Sequence, residues 1–222
     1  MAENDNGRTC RTIMLFSPKG GVGKTTLALH ILVAASRAGA KAIGVDFDSQ
    51  QTLRRWAELR EQDPKNVERP GFAIGTADLD DWQEVLDALE DFDLAVLDLP
   101  PGIKGHEAMV NSFAARVDLV VIPTGPSAFD RQTVIPWMTR FVERGLAAQF
   151  CFNRAPQPHV RSYRDTKREL VQHGAVVPVD IPHREDIVYA SERGLAVLDV
   201  DRARGRAEFE TLWEHLRREV RL

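Results

Sequence analysis

With 222 residues, of which 43% are hydrophobic and 28% charged, the chain has the make-up of one globular domain able to bury a core. Its net charge of −4 argues against a generally basic nucleic-acid binder and leaves only local basic patches to consider. Two distant cysteines, Cys10 and Cys151, with no Cys-x-x-Cys and no His-Glu-x-x-His, exclude a zinc ribbon, an iron–sulfur scaffold and a zincin motif. Residues 1–10 are polar and lack the apolar centre of a signal peptide, so they are expected to form a disordered lead to one domain over residues 11–222. No apolar run approaches the ~20 residues of a membrane span, and a reducing cytoplasm fits this composition.

Thr12–Phe16 is a short apolar run of strand type. The stretch Ser17-Pro18-Lys19-Gly20-Gly21-Val22-Gly23-Lys24-Thr25-Thr26 follows, then helix-forming composition to about Arg37, closed by Gly39. A second buried strand over residues 41–45 ends at Asp46-Phe47-Asp48. Residues 53–62 read as a helix with Leu53, Trp56 and Leu59 on one face, residues 63–71 as a loop and residues 72–76 as a short strand. Asp78 is expected to cap a helix reaching Glu90, with Leu79, Trp82, Leu86 and Leu89 facing inward. Leu94–Leu97 is a strand ending on Asp98, before the sharp Pro100-Pro101-Gly102 loop. Helices near 105–116 and 128–144 flank a strand over residues 119–122, with Pro136 marking a kink or break. A strand over 148–152, a helix near 160–173 and a short strand near 176–180 complete the alternation. This pattern predicts an α/β fold, a mostly parallel twisted sheet with helices on both faces. Ligands then bind at the carboxyl ends of the strands, where Asp46, Asp48, Asp98 and Asn153 fall.

Strand, glycine loop, Gly-Lys-Thr and helix is the order a phosphate-binding loop requires. The glycines let backbone N–H groups from Gly20, Gly21, Val22, Gly23, Lys24, Thr25 and Thr26 converge on phosphate oxygens at a helix N-terminus. Lys24 is placed to reach the outer phosphates, and Thr25 offers a hydroxyl to Mg²⁺. Asp98, at a strand end in the same sheet, is placed to hold Mg²⁺ through water. Asp46 and Asp48 lie two apart and so point to one side, one to support the metal and the other to orient an attacking water. Where the similar strand of related GTPases is followed by a guanine-reading Asp three residues after its Asn, this chain has Pro156, which favours ATP over GTP, with Asn153 able to bond the adenine edge.

The loop departs from the general pattern by carrying Pro18 in place of its first glycine and an extra lysine, Lys19. Lys-Gly-Gly-x-Gly-Lys-Thr-Thr resembles the deviant Walker A loop of the ParA/MinD family, and the resemblance extends over about residues 11–220. Leu97-Asp98-Leu99-Pro100-Pro101-Gly102 is similar to the family's second nucleotide motif, and Asp46-Phe47-Asp48-Ser49-Gln50 to its Asp-x-Asp-Pro-Gln, with Ser49 replacing the proline. The resemblance implies a P-loop ATPase using ATP and Mg²⁺, with Asp48 positioning water, Asn153 and Pro182 near adenine, and Lys19 reaching the partner's nucleotide in a sandwich homodimer. The segment 121–130 resembles the interface segment of the small ParF-type proteins. By resemblance such dimers bind DNA non-specifically, and a ParB-like or other adaptor stimulates hydrolysis so that a plasmid, chromosome locus or large assembly is moved. The protein would then be cytoplasmic and nucleoid-associated.

Arg161, Arg164, Lys167 and Arg168 recur at helical spacing and are expected to share a face; Arg202, Arg204 and Arg206 form a second basic cluster and Arg184 a third. They read either as DNA-phosphate contacts or as solvated surface. The stripe Phe209, Leu212, Trp213, Leu216 and Val220 is expected to pack on the core, because glutamates among its arginines disfavour an anionic membrane. A MinD-like membrane-associated regulator and a nucleotide-dependent polymer-forming scaffold are the alternatives.

Overall fold

The structure, a computed structural model, describes residues 9–66, 69–102 and 105–222. Residues 1–8 of the expected lead lie outside the described residues, whereas Cys10, at its end, is buried in the core. Among the described residues seven strands form one parallel sheet: β1 (Arg11–Leu15), β2 (Ala42–Asp46), β3 (Ala73–Thr76), β4 (Leu94–Asp98), β5 (Leu119–Thr124), β6 (Ala148–Ala155) and β7 (Ala175–Val176). Their spatial order is β3-β2-β4-β1-β5-β6-β7, and β8 (Ile181–Pro182) pairs separately with β6. The central strands β1, β4 and β5 are apolar on both faces because helices cover both faces.

One face carries α1 (Lys24–Arg37), α2 (Thr52–Gln62), α7 (Glu185–Ser191) and α8 (Arg206–Glu219), packed through Leu27, Ile31, Trp56, Ile187, Phe209 and Leu212. The other carries α3 (Trp82–Asp87), α4 (Glu107–Ala114), α5 (Ala128–Glu143) and α6 (Arg161–His173), packed through Trp82, Phe113, Trp137, Phe141 and Leu170. Gly44 in β2 shows how tight the first face is. A Cβ there would lie 2.7 Å from both Ile74 and Leu32 side chains, so α1 and β3 close over a position with no side chain.

Several boundaries differ from expectation. The helix anticipated over 78–90 is a 3₁₀ turn at Leu79–Asp81 followed by the short α3, and Asp78 makes no side-chain cap. Leu59 is 46% exposed; the inward face of α2 is instead Leu53, Trp56, Ala57 and Arg60. Arg60 replaces it because its guanidinium is neutralised inside the protein by Asp199 at 2.6 Å and packs over Trp56 and Phe72. Helix α5 runs unbroken through Pro136. The strand expected near 176–180 falls instead on β7 and β8, either side of that stretch.

The C-terminal helix α8 buries Phe209, Leu212, Trp213 and Leu216 against the α1 face, so its apolar stripe is core. Among the described residues no helix is long and apolar enough to cross a membrane. His30 in α1 is fully buried and stacks on Phe209 at 3.8 Å. Its Nδ1–H donates to the Thr26 carbonyl, and its Nε2 accepts the Val197 N–H, so both ring nitrogens are used by the neutral form. Burial holds its pKa down at about 4, against the Thr26 carbonyl and Asp199, which favour the charged form.

Candidate functional site

β1 delivers the chain to the middle of the sheet, between β4 and β5, where crossovers leave to opposite sides. This is the topological switch point of a parallel sheet, where ligands bind. The loop after β1 ends at Gly23, whose left-handed backbone (φ 93°) starts α1 without any side-chain cap. No acidic residue sits in the first turn of α1. The first-turn N–H groups therefore face the loop unneutralised, a ready anion cradle. Lys24 is buried with its Nζ 3.5 Å from the Ser17 carbonyl. Burial lowers its pKa, while Asp98 and Asp48 act to keep it charged. A phosphate chain would supply the missing counter-charge.

Beside Lys24, Asp46 and Asp98 are register partners on β2 and β4. Asp98 is almost wholly buried. Its Oδ2 accepts from the Thr25 hydroxyl at 2.6 Å, and its Oδ1 is buried without a hydrogen-bond partner. Burial pushes its pKa up to about 7; the Thr25 bond opposes this, Asp46 adds to it and Lys24 again opposes it. An unsatisfied carboxylate oxygen next to a threonine hydroxyl fits a hydrated Mg²⁺, which takes one or two protein oxygens and keeps waters and phosphates as its other ligands. Asp46 is occupied differently. Its Oδ1 accepts from the Asp48 N–H, and its Oδ2 from the Leu53 and Arg54 N–H groups, so it holds the turn into α2. Its expected direct metal contact would compete with three backbone bonds, which leaves Asp98 as the better fit. Asp48 is half-buried, and its Oδ1 accepts from the Gln50 N–H.

The loop is gripped from outside. On one side the Gly102 N–H reaches the Pro18 carbonyl at 3.0 Å, and Gly20 lies against Pro101. On the other, Asn153 Nδ2 donates to the Val22 carbonyl at 2.8 Å and Arg154 Nη1 to the Gly21 carbonyl at 3.0 Å. Gly23 must be glycine here, because a Cβ would sit 2.1 Å from Asn153 Nδ2. Asn153 Oδ1 accepts from the Arg154 N–H, so both ends of this buried amide already serve the protein. The adenine contact expected of Asn153 would have to use its second N–H and second lone pair. Pro182 lies in β8, paired with Ala155.

Lys19 is folded back on its own chain, ion-paired with Asp130. Asp130 also closes a capping box with Ser127 at the start of α5. Burial works to raise the Asp130 pKa, but the Lys19 and Ser127 hydrogen bonds outweigh it and hold the carboxyl below its ordinary value. A cavity of about 600 Å³ opens over these groups, lined by Lys19, Gly20, Asp130, Arg154 and His183 among others. Sequence reading places Asp130 at the end of the 121–130 segment without a role of its own, and it assigns Arg154 none. Ser127-x-x-Asp130 carries a capping signal that marks Asp130; no local pattern marks Arg154.

The basic residues divide. Arg161, Arg164 and Arg168 on α6 are exposed, with Arg161 in a loose 3.4 Å pair with Asp165. Lys167 does not share their face, because it turns to Asp180, which also accepts from Tyr163. Arg204 is held by Asp186, and Arg206 by Glu210 and the Leu198 carbonyl. Arg184 is half-buried with its Nε inside the protein, and Arg202 is exposed. The second cluster is thus largely consumed in stapling the C-terminal segment.

The model of the CobQ/CobB/MinD/ParA nucleotide binding domain matches residues 13–198. The chain therefore belongs to the ParA/MinD family of nucleotide-binding ATPases. It is 30% identical over 165 residues to the maintenance of carboxysome distribution protein A of Gloeobacter kilaueensis, covering 74% of this chain and 72% of that one. It is 25% identical to a probable plasmid-partitioning protein ParA of Thermus thermophilus, covering 74% of this chain and 60% of the relative. Its fold matches that of the septum site-determining protein MinD of Pyrococcus horikoshii, solved with Mg-ADP, at a TM-score of 0.72 and 18% identity, covering 93% and 96% of the two chains.

Proposed function

We propose that this protein is a ParA-type positioning ATPase that binds Mg-ATP, pairs with a second copy around the nucleotide, holds DNA non-specifically in that state and lets go after hydrolysis. The observation that carries the nucleotide chemistry is the uncapped start of α1, with buried Lys24 and the unpartnered Asp98 Oδ1 beside Thr25. Lys24 and the loop amides hold the phosphates, Thr25 and Asp98 hold Mg²⁺, and Asp48 directs the water, its Oδ1 accepting from the Gln50 N–H and its Oδ2 making no hydrogen bond among the described residues. When bound, Mg²⁺ neutralises charge on the phosphates; the chain's own groups orient the phosphate chain and exclude bulk water. Lys19 leaves Asp130 for the nucleotide of the second copy. The relatives named for carboxysome distribution and plasmid partitioning support a cargo-positioning role, with hydrolysis triggered by an adaptor protein. The working place of such a cycle is the nucleoid in the cytoplasm.

Arg161, Arg164 and Arg168 are the candidate DNA contacts, since they are the exposed members of the basic set on one helix. Six such arginines in a dimer, each neutralising one phosphate, give a slope of about −5 for log binding constant against log salt. The test is binding to a random-sequence duplex with ATP, ADP or no nucleotide over a salt series. Binding with ATP alone, at about that slope and lost when all three arginines become Ala, supports the proposal. Equal binding in every nucleotide state, or none, refutes it.

A further inference from the structure

Arg154 is the one residue on β6 that breaks the ladder with β8. Asn153 pairs with Ile181 and Ala155 with Pro182, so Arg154 is the extra residue of a bulge. Its backbone is left-handed, φ 53°, a region where glycine is the default occupant of a bulge and a long side chain is strained. A strained, bulged arginine aims its side chain somewhere particular. Here the guanidinium reaches the Gly21 carbonyl, next to the Val22 carbonyl that Asn153 holds.

Two consecutive loop carbonyls are therefore pinned outward by two consecutive residues of β6. A peptide unit is planar and trans, so pinning a carbonyl fixes the following N–H in the opposite direction. Holding the Gly21 carbonyl aims the Val22 N–H away from β6, and holding the Val22 carbonyl does the same for the Gly23 N–H. These are loop amides a phosphate needs pre-aimed, and pre-organisation before binding is where affinity is gained. We propose that Arg154 is a positioning residue for phosphate binding, a clamp that sets the phosphate loop from outside without touching the nucleotide. This rests on the loop being a phosphate site, as proposed above, and on nothing about DNA or cargo.

Two features make the test sharp. A clamp acts on any ligand with a phosphate chain, with or without a base. Replacing Arg154 by Gly also removes backbone strain, so a purely structural role and a clamp role move stability and affinity in different directions. Binding of Mg-ATP and of Mg-tripolyphosphate is measured by calorimetry for the wild type, Arg154→Gly and Arg154→Lys, with thermal melting of each free protein alongside. The expected result is that Arg154→Gly weakens both ligands by the same factor, about tenfold for one lost charged hydrogen bond. Its melting temperature stays level or rises, and Arg154→Lys recovers part of the affinity through its single ammonium. Weakened ATP with unchanged tripolyphosphate would make Arg154 a base or ribose contact and overturn the clamp. Unchanged affinity for both, or a loss that tracks a lower melting temperature, overturns it as well. So does a wild type that binds ATP but no tripolyphosphate, since its loop would not be pre-set. A wild type that binds neither ligand removes the phosphate site itself, and with it the proposed function.

Discussion

Acid should unfold this protein in part through one histidine. His30 is buried and neutral, with both nitrogens committed and its ring stacked on Phe209. Its folded pKa is about 4, against an ordinary 6.5. Between those values the unfolded chain binds a proton that the folded chain refuses, so stability falls as pH falls from about 6.5 towards 4. A gap of about two and a half pH units corresponds to about 3 kcal/mol, a large share of the ~5–15 kcal/mol that holds a domain together. Asp98 works in the other direction. Its carboxyl keeps a proton up to about pH 7 in the folded state, so its contribution is present below the unfolded value of 3.8 and fades as pH rises through 7. Comparing the wild type with His30→Gln cancels Asp98 and every other shared group. Urea unfolding of both proteins at pH 7.5, 6, 5 and 4.5 should find His30→Gln less stable at pH 7.5, because the ring stack on Phe209 and the Nδ1–H bond to the Thr26 carbonyl are lost. That difference should narrow steadily with acid. A difference that stays constant over this range would refute the reasoning.

Three further outcomes follow from the geometry. Asp199→Ala leaves the Arg60 guanidinium buried without its carboxylate and should cost about 3–5 kcal/mol in urea unfolding. Gly23→Ala drives a Cβ into Asn153 and strains a left-handed turn, so ATP binding measured by calorimetry should be abolished; retained binding would mean the loop rearranges freely. Asp48→Ala should leave ATP affinity within about twofold and slow turnover by about a hundredfold or more, as removal of a water-directing carboxylate does. Light scattering should then find a persistent dimer with ATP, and normal phosphate release would exclude Asp48 from that role.

The first half of the site was legible because its geometry is local. A strand, a glycine loop and a helix start are adjacent in sequence, and Asp98 declares itself as the acid closing the apolar run Leu94–Leu97. Contacts between distant segments were not. Asn153 and Arg154 lie 131 and 133 residues from the carbonyls they hold, and no periodicity encodes such a meeting. Asp46 carries the same spacing signal as Asp48, yet the start of α2 folds back and takes its oxygens. Lys167 has the helical spacing of its neighbours, but Asp180 lies within reach on the sheet side and draws it inward. Leu59 and Arg60 exchange their expected places because a buried acid, Asp199, waits 139 residues away in sequence. Hydrophobic pattern registers burial by solubility alone, and it misreads a position wherever a partner charge cancels the cost of burial.

The order of strands in the sheet also sets an order of events in synthesis. β1 and the glycine loop are made before their partners: among the described residues β1 pairs with β4 and β5, and the residues that grip the loop end at Arg154. The grip on the loop is incomplete until Arg154, more than two-thirds of the way along the 222 residues, has been made. His30 then waits for the Val197 N–H and for Phe209 from the last helix. A nascent chain stalled before residue 150 would thus carry the entire glycine loop but lack both residues that hold its carbonyls, and full nucleotide affinity would come only as about the last third of these 222 residues emerged.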